Sequence, residues 1–188
     1  MRGPKRLEYA EFQHIPYDGL GHHLFKGMHI ITPAPSSRHQ WISSKLSRIL
    51  GNFVEDSEIG EVLVAPYDIK LSEDSGFQPD IVLIHRRDFK SIKESHFEGI
   101  PLLVIEILSP GSHKEDYVWK RLLSEEFGVP EYWVVNLEDL LVDVFNLKDR
   151  HYSSRTIRKG EILSSTLVDL RGLTIDTQKL FDSMAELH

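Results

Sequence analysis

Short apolar runs and helically spaced apolar stripes alternate along the chain, and this pattern predicts most of its secondary structure. The runs IVLIH (81–85) and LLVIEIL (102–108) are bounded by turn residues, which is typical of strands buried on both faces. The segment EVLVAPYDIKL (61–71) predicts extended structure with a break at Pro66. Further strands are predicted at 131–136, at 140–147, near 151–157 and, as short pieces, around 23–31.

The first helical stripe follows two prolines, at positions 33 and 35. Ser36 or Ser37 can cap a helix that runs to about residue 50, and Gly51 or Asn52 suits its end. The apolar positions with helical spacing are Trp41, Ile42, Leu46, Ile49 and Leu50.

A second stripe, formed by Trp119, Leu123 and Phe127, predicts a helix from Asp116 to Phe127 that Gly128 terminates. The tail (173–184) predicts a short final helix. Strands, a helix and then more strands indicate an α/β fold in which a mixed central β-sheet is flanked by helices.

The length of 188 residues suits one domain, which we expect to span residues 1–188 with residues 1–20 as an N-terminal extension. No apolar run approaches the roughly 18 residues of a membrane span, and the N-terminus lacks the apolar stretch of a signal peptide. The absence of cysteine excludes disulfides, thiolate zinc sites and a cysteine nucleophile. These features favour a cytoplasmic protein that does not bind membranes.

The net charge of −7 argues against a protein that binds nucleic acid over its whole surface. Two basic stretches leave a local basic face open, although solvated surface is the favoured explanation of each stretch taken alone. They comprise Arg86, Arg87, Lys90 and Lys93, and then Arg150, Arg155, Arg158 and Lys159.

Glu106 stands inside an otherwise unbroken apolar run and is the most unusual feature of the pattern. An ionised carboxylate in a buried strand is costly unless a cation pairs with it. Asp80 heads a second apolar strand directly after a proline, so neighbouring strands could bring the two carboxylates together. The alternatives are that Asp80 caps a strand and that Glu106 forms a buried pair with a lysine.

If the two carboxylates meet, they form an oxygen-rich site with a main-chain carbonyl, for which Ile107 is the candidate. Such a site suits Mg²⁺ or Mn²⁺ better than zinc. Ser109 and Pro110 end the strand soon after Glu106, which places the site near the carboxyl end of a strand, where ligands of α/β sheets usually bind.

Two other sets of residues have competing interpretations. Asp116 and Lys120 are four residues apart, so from spacing alone they are a surface ion pair worth about 0.3–0.5 kcal/mol. Four histidines could bind zinc, but their spacing matches no compact zinc pattern. They are His22, His23, His29 and His39.

Several segments, taken together and in order, resemble the Uma-type restriction endonuclease family, a branch of the PD-(D/E)XK nuclease superfamily. The resemblance spans roughly residues 20–182 and is carried by the ordered set, since no segment is specific alone. The segments are TPAPSSRHQ (32–40), GEVLVAPYDIKL (60–71), QPDIVLI (78–84), LLVIEILSPGS (102–112), Asp116, Lys120 and GVPEYWVVN (128–136).

The resemblance implies a restriction-endonuclease-like core and metal-assisted phosphodiester hydrolysis. Asp80 and Glu106 match its metal-binding carboxylates. The superfamily lysine two residues after the glutamate is Leu108 here, and the Uma-type branch supplies a lysine from the following helix, where Lys120 matches. Residues implied as supporting are His23, His39, Gln40 and Asp116.

The chain departs from the family pattern at four positions. His23 replaces a usual glutamate, so a third metal ligand is missing or His23 substitutes for it. The other departures are Met28 at an acidic position, Ser124 at a tyrosine and Asn136 at an aspartate.

Two hypotheses of function follow. The first is a Mg²⁺- or Mn²⁺-dependent DNA endonuclease that works as a homodimer, because duplex cleavage needs two cuts. The second is a catalytically degenerate, nuclease-like protein that binds nucleic acid or serves as a scaffold, which the departures at His23 and Met28 and the acidic composition favour.

Overall fold

A computed structural model describes residues 6–16, 18–108, 114–182 and 184 of the chain, with side chains from residue 117 onward in its second long helix. The helices are α1 (Tyr9–Phe12), α2 (Ser37–Ser57), α3 (Lys114–Phe127) and α4 (Thr177–Asp182). The first seven strands are β1 (Gly21–Phe25), β2 (Met28–Thr32), β3 (Gly60–Val64), β4 (Asp68–Ser72), β5 (Ser75–Phe77), β6 (Ile81–His85) and β7 (His96–Glu98). The remaining strands are β8 (Leu103–Leu108), β9 (Glu131–Asn136), β10 (Leu141–Lys148), β11 (His151–Arg158), β12 (Ile162–Ser164) and β13 (Thr174–Asp176).

A six-stranded sheet in the order β11-β10-β9-β8-β6-β3 forms the centre of the fold. The sheet is mixed, because β8 and β9 run parallel while its other neighbouring strands are antiparallel. The parallel pair is joined through α3, as a parallel connection requires. A five-stranded sheet (β2-β1-β5-β4-β7) and the β12–β13 ribbon complete the described strands. These features confirm the predicted α/β class.

The two faces of the central sheet bury different sets of residues, because successive side chains of a strand alternate. Odd-numbered positions of β6 and β8, such as Ile81 and Ile105, pack against the apolar stripe of α2. Even-numbered positions, such as Val82 and Val104, pack toward Leu123 of α3 and the five-stranded sheet. Glu106 occupies an even-numbered position of β8, so its carboxylate lies on the face of the sheet that packs toward α3.

The register between β6 and β8 determines where the two predicted carboxylates lie. Ile81 pairs with Ile105 in an antiparallel ladder. Extending that register by one residue sets Asp80, which immediately precedes β6, opposite Glu106. Directly opposed residues on one face have Cβ atoms about 4.5–5.5 Å apart, so both carboxylates can contact one ligand.

The structure confirms the predicted strands and both long helices but corrects three boundaries or omissions. α2 continues to Ser57 rather than ending near residue 50, because Val54 extends its buried stripe and Gly51 is tolerated within the helix. The short helix α1 was not predicted, and it buries Tyr9 and Phe12 against Leu24. The short strands β5, β7, β12 and β13 were not predicted either.

The helix α2 begins at a side-chain cap, and this contact decides between Ser36 and Ser37 as its N-cap. Oγ of Ser36 accepts a hydrogen bond from the N–H of His39 at 3.3 Å, so Ser36 is the N-cap of α2. This bond satisfies one of the four N–H groups that a helix start leaves unpaired.

We expect Ser36→Ala to lower the free energy of unfolding by about 1 kcal/mol, because the His39 N–H loses its acceptor. Ser37→Ala is the matched control, since Ser37 is the exposed first residue of the helix. Urea denaturation measures both variants. Equal losses of stability would show that the cap contributes nothing specific.

Candidate active site

A cleft of about 390 Å³ lies where β1 and β2, the first turn of α2 and the carboxyl end of β8 come together. The predicted residues Asp80, Glu106 and Lys120 all line it. His23, His39, Gln40 and Ile107 line it as well. The structure therefore brings together in one cavity residues that are separated by up to 97 positions in the sequence.

Asp80 is held by two donors on one carboxylate oxygen. Its Oδ2 accepts a hydrogen bond from the N–H of Ile107 at 2.7 Å and lies 3.0 Å from Nε2 of His39. Asp80 thus caps the edge of β8 beyond the end of its ladder with β6, which is one of the structural alternatives that the sequence left open. The side chain is 20% exposed, so it remains accessible from the cleft.

Glu106 and Lys120 form a buried ion pair. Nζ of Lys120 lies 2.8 Å from Oε2 of Glu106, and the two side chains are only 8% and 7% exposed. Nζ also donates to the main-chain carbonyl of Gln78 at 3.4 Å. The partner of Lys120 is therefore Glu106, whereas spacing alone favoured a surface pair with Asp116, whose side chain lies outside the described residues.

Burial raises the pKa of Glu106 to about 7, from the usual 4.5. The positive charge of Lys120 opposes this shift, and the negative charge of Asp80 adds to it. The other oxygen of the carboxylate, Oε1, is buried without a hydrogen-bond partner among the described residues. A half-satisfied buried carboxylate is costly, so a water molecule, an ion or another ligand would be needed to complete the group.

The main-chain carbonyl of Ile107, which also lines the cleft, is the candidate for a third oxygen. The carbonyl of Leu108 accepts from the N–H of Leu137, which follows β9. Because successive carbonyls of a strand alternate in direction, the carbonyl of Ile107 faces the opposite edge, where its own N–H meets Asp80.

These oxygens fit the ligand preference of Mg²⁺ or Mn²⁺. Magnesium binds through one or two carboxylates and keeps several water molecules, so two carboxylates and one carbonyl are enough. No three histidine, aspartate or glutamate side chains converge into a metal site within the part of the chain that the structure describes. The arrangement therefore favours an open, partly hydrated cation over a closed zinc centre.

His23 lies in β1 and is almost fully buried, with 2% exposure. Its Nδ1 accepts from the N–H of Gln78 at 3.2 Å, and its Nε2 lies 3.0 Å from Oγ1 of Thr32. Burial, followed by the charge of Lys120, lowers the pKa of His23 well below its usual 6.5. Both ring nitrogens are engaged within the protein, so His23 as placed does not present a lone pair to a metal ion.

The remaining predicted residues differ in whether they contact the carboxylates of the cleft. His39 contacts Asp80 directly, whereas Gln40 is exposed at the rim of the cleft. The four histidines of the zinc hypothesis do not form one cluster: His22 contacts His29 through Nδ1 and Asp18 through Nε2, whereas His23 contacts Thr32 and His39 contacts Asp80.

The two basic stretches lie outside the described lining of the cleft. The first follows β6 at the end opposite Asp80, and Arg86 and Arg87 contact the acidic side chains of Glu58 and Asp88. In the second, Lys159 contacts Asp182. These contacts favour the interpretation of both stretches as solvated surface.

Gln78 is the site residue that sequence reasoning missed. It acts through its main chain, accepting from Lys120 and donating to His23, and a main-chain contact leaves no signature in residue type. The only available signal was its position next to the Pro79–Asp80 pair.

The fold is that of the restriction-endonuclease-like class. A crystal structure titled "a putative nuclease belonging to DUF820 from Anabaena variabilis ATCC 29413" matches with a TM-score of 0.80 and 18% identity, over 94% of this chain and 98% of that chain. No curated protein matches the chain. The Uma2 family model, described as "Putative restriction endonuclease", matches residues 9–178.

The chain therefore belongs to the Uma2 family, as its motifs indicated. Its match extends further toward the N-terminus than the resemblance noted from sequence and includes α1. None of the helices in the described part of the chain has both the length and the apolar character of a membrane-spanning helix.

A carbon-detected NMR titration of metal-free protein should give Glu106 a pKa near 7. Because the native state then holds this proton more tightly than the unfolded chain, its stabilising effect is complete below pH 4.5 and disappears as the pH rises through about 7. Glu106→Gln should remove this component from the pH dependence of unfolding. A Glu106 pKa at or below 4.5 would mean that Lys120 outweighs burial.

Proposed function

We propose that this protein is a metal-dependent endonuclease that hydrolyses phosphodiester bonds in DNA, with Mg²⁺ or Mn²⁺ as cofactor. Its membership of the Uma2 family supports nuclease chemistry. The observation that carries the proposal is the buried Glu106 carboxylate, with one oxygen on Lys120 and the other without a partner among the described residues. Asp80 and the Ile107 carbonyl provide the further oxygens for a shared cation.

In this proposal Asp80, Glu106 and the carbonyl of Ile107 hold the metal ion. A metal bound there would polarise a phosphate oxygen and lower the pKa of a coordinated water. His39 and the Ile107 N–H fix Oδ2 of Asp80, so the carboxylate is oriented before the substrate arrives.

Lys120 is the proposed catalytic cation. It would orient the attacking water or stabilise the negative charge that develops on the phosphate. Because Glu106 and the Gln78 carbonyl already hold its ammonium group, little reorganisation is needed during the reaction. Gln40 at the rim and Asp116 in the first turn of α3 are proposed supporting residues.

We further infer that residues 1–188 act as one domain, in the cytoplasm, and that two copies associate. Two sites related by a two-fold axis would make the two cuts that a DNA duplex requires. β11 forms one edge of the central sheet and offers main-chain groups to a second copy.

Binding of nucleic acid without cleavage remains the second candidate function. It is favoured by His23, whose two ring nitrogens are already engaged within the protein at the position where the family resemblance implies a glutamate. A cleavage assay with added Mn²⁺ separates the two functions, since only a live nuclease shortens the substrate.

We expect calorimetry to detect Mn²⁺ binding to the wild type and not to Glu106→Gln or Asp80→Asn, because each variant removes one of the two carboxylates. Glu61→Gln is the matched control, since Glu61 is an exposed glutamate of β3. Binding that survives in Glu106→Gln would place the metal elsewhere. If the wild type binds no Mn²⁺ even with DNA present, the metal-dependent mechanism is wrong.

Lys120→Ala should reduce cleavage by about 10²–10³-fold and leave Mn²⁺ binding intact or tighter, because Oε2 of Glu106 is released. Because Glu106 loses its buried partner, the free energy of unfolding should also fall by about 3–5 kcal/mol. Lys120→Met, which keeps most of the apolar stem of the lysine, is therefore made in parallel. Lys26→Met controls for loss of charge, since Lys26 forms an exposed pair with Glu126. Unchanged cleavage in folded Lys120 variants would leave Lys120 a structural role only.

A further inference from the structure

His23 is connected to Lys120 through the main chain of a single residue, Gln78. The Gln78 N–H donates to Nδ1 of His23, and the Gln78 carbonyl accepts from Nζ of Lys120. The side chain of Gln78 is held as well, because its Nε2 donates to Oδ1 of Asp68 at 3.1 Å. Gln78 is thus held through both its main chain and its side chain.

The imidazole continues a strand ladder beyond its end. β1 and β5 share one registered pair, Leu24 with Gly76. Gln78 follows β5, and the side chain of His23 provides the acceptor for its N–H where β5 has ended. A buried N–H without an acceptor costs about 1–3 kcal/mol, so this contact fixes the path of the chain into Asp80.

The contacts of His23 determine its tautomer. Nδ1 accepts a main-chain N–H, so the proton lies on Nε2 and is donated to Oγ1 of Thr32. Gly21 leaves room for this pair, since a Cβ there would collide with Thr32 Oγ1. A protonated ring could not accept from Gln78, and burial beside Lys120 keeps the ring neutral.

The surroundings of Lys120 leave its charge few other partners. Nζ lies 5.9 Å from the ring centres of both Phe77 and Trp119. The ring centres of Trp119 and His23 are 5.4 Å apart. Because the His23 imidazole and the Gln78 main chain carry no charge, the ammonium group of Lys120 is directed toward the carboxylate of Glu106. A carboxylate at position 23 would instead compete with Glu106 for the same cation.

We propose that His23 is a positioning residue, which as a neutral Nε2-protonated imidazole holds the main chain of Gln78 and thereby aims Lys120 at Glu106. The effect on cleavage depends on the proposed nuclease function, whereas the structural effect on Gln78 and Lys120 does not.

The test compares His23→Asn with His23→Gln, because the asparagine carbonyl can replace Nδ1 as acceptor while the glutamine amide reaches only the place of Nε2. Amide hydrogen exchange at Gln78 should stay within about threefold of wild type in His23→Asn and accelerate by about tenfold or more in His23→Gln. kcat should fall by about 10–100-fold in His23→Gln with little change in KM, and recover largely in His23→Asn.

Thr32→Val serves as the control, since it removes only the partner of Nε2 and should resemble His23→Asn. If both His23 variants behave alike, or if Thr32→Val matches His23→Gln, the positioning role is wrong. Should the wild type cleave no nucleic acid, the proposed nuclease function fails, and exchange at Gln78 alone decides this inference. Nitrogen-15 spectra of the wild-type ring need no variant, and a proton on Nδ1 would overturn it.

Discussion

The buried contact between Glu106 and Lys120 is the interaction on which the rest of the site depends. Two charged side chains that are less than a tenth exposed lose most of their hydration, and their mutual attraction offsets this loss only in good geometry. The central sheet places Glu106 on the face toward α3, and α3 brings Lys120 to 2.8 Å from it. Gln78 then supplies a second acceptor, because an ammonium group has three protons to place.

The same contact joins the structural and the catalytic interpretations of this site. A glutamate–lysine pair explains how a carboxylate survives in a core strand, and an Asp80 that accepts from Ile107 explains how β8 ends. Neither contact uses Oε1 of Glu106, which is buried without a partner in the described structure. The pair therefore accounts for one oxygen of the carboxylate and leaves the other available to the cation of the proposed mechanism, so both interpretations describe one arrangement.

The local pattern of the sequence was enough to predict the central strands, both long helices and the unusual position of Glu106. Glu106 could be identified because an ionised carboxylate is costly to bury, and this cost depends only on the residue type and on the apolar strand around it. The pairing of Lys120 could not be predicted in this way, because it depends on how α3 packs across the sheet. β5, β7, β12 and β13 are each three residues long and carry too little periodicity to be recognised. Gln78 acts through main-chain atoms, which any residue type provides.

The charge of the cleft bears on how such a site would hold a nucleic acid. Among the residues described as lining it, Lys120 is the one lysine or arginine, and its charge is already directed to Glu106. The basic stretches lie elsewhere and contact acidic neighbours. Attraction of a phosphate would then come largely from a bound divalent cation, with support from the N-terminal turn of α2, where helix N–H groups favour anions. Affinity for nucleic acid in this chain would therefore depend on the metal more than on a broad basic surface, consistent with its net charge of −7.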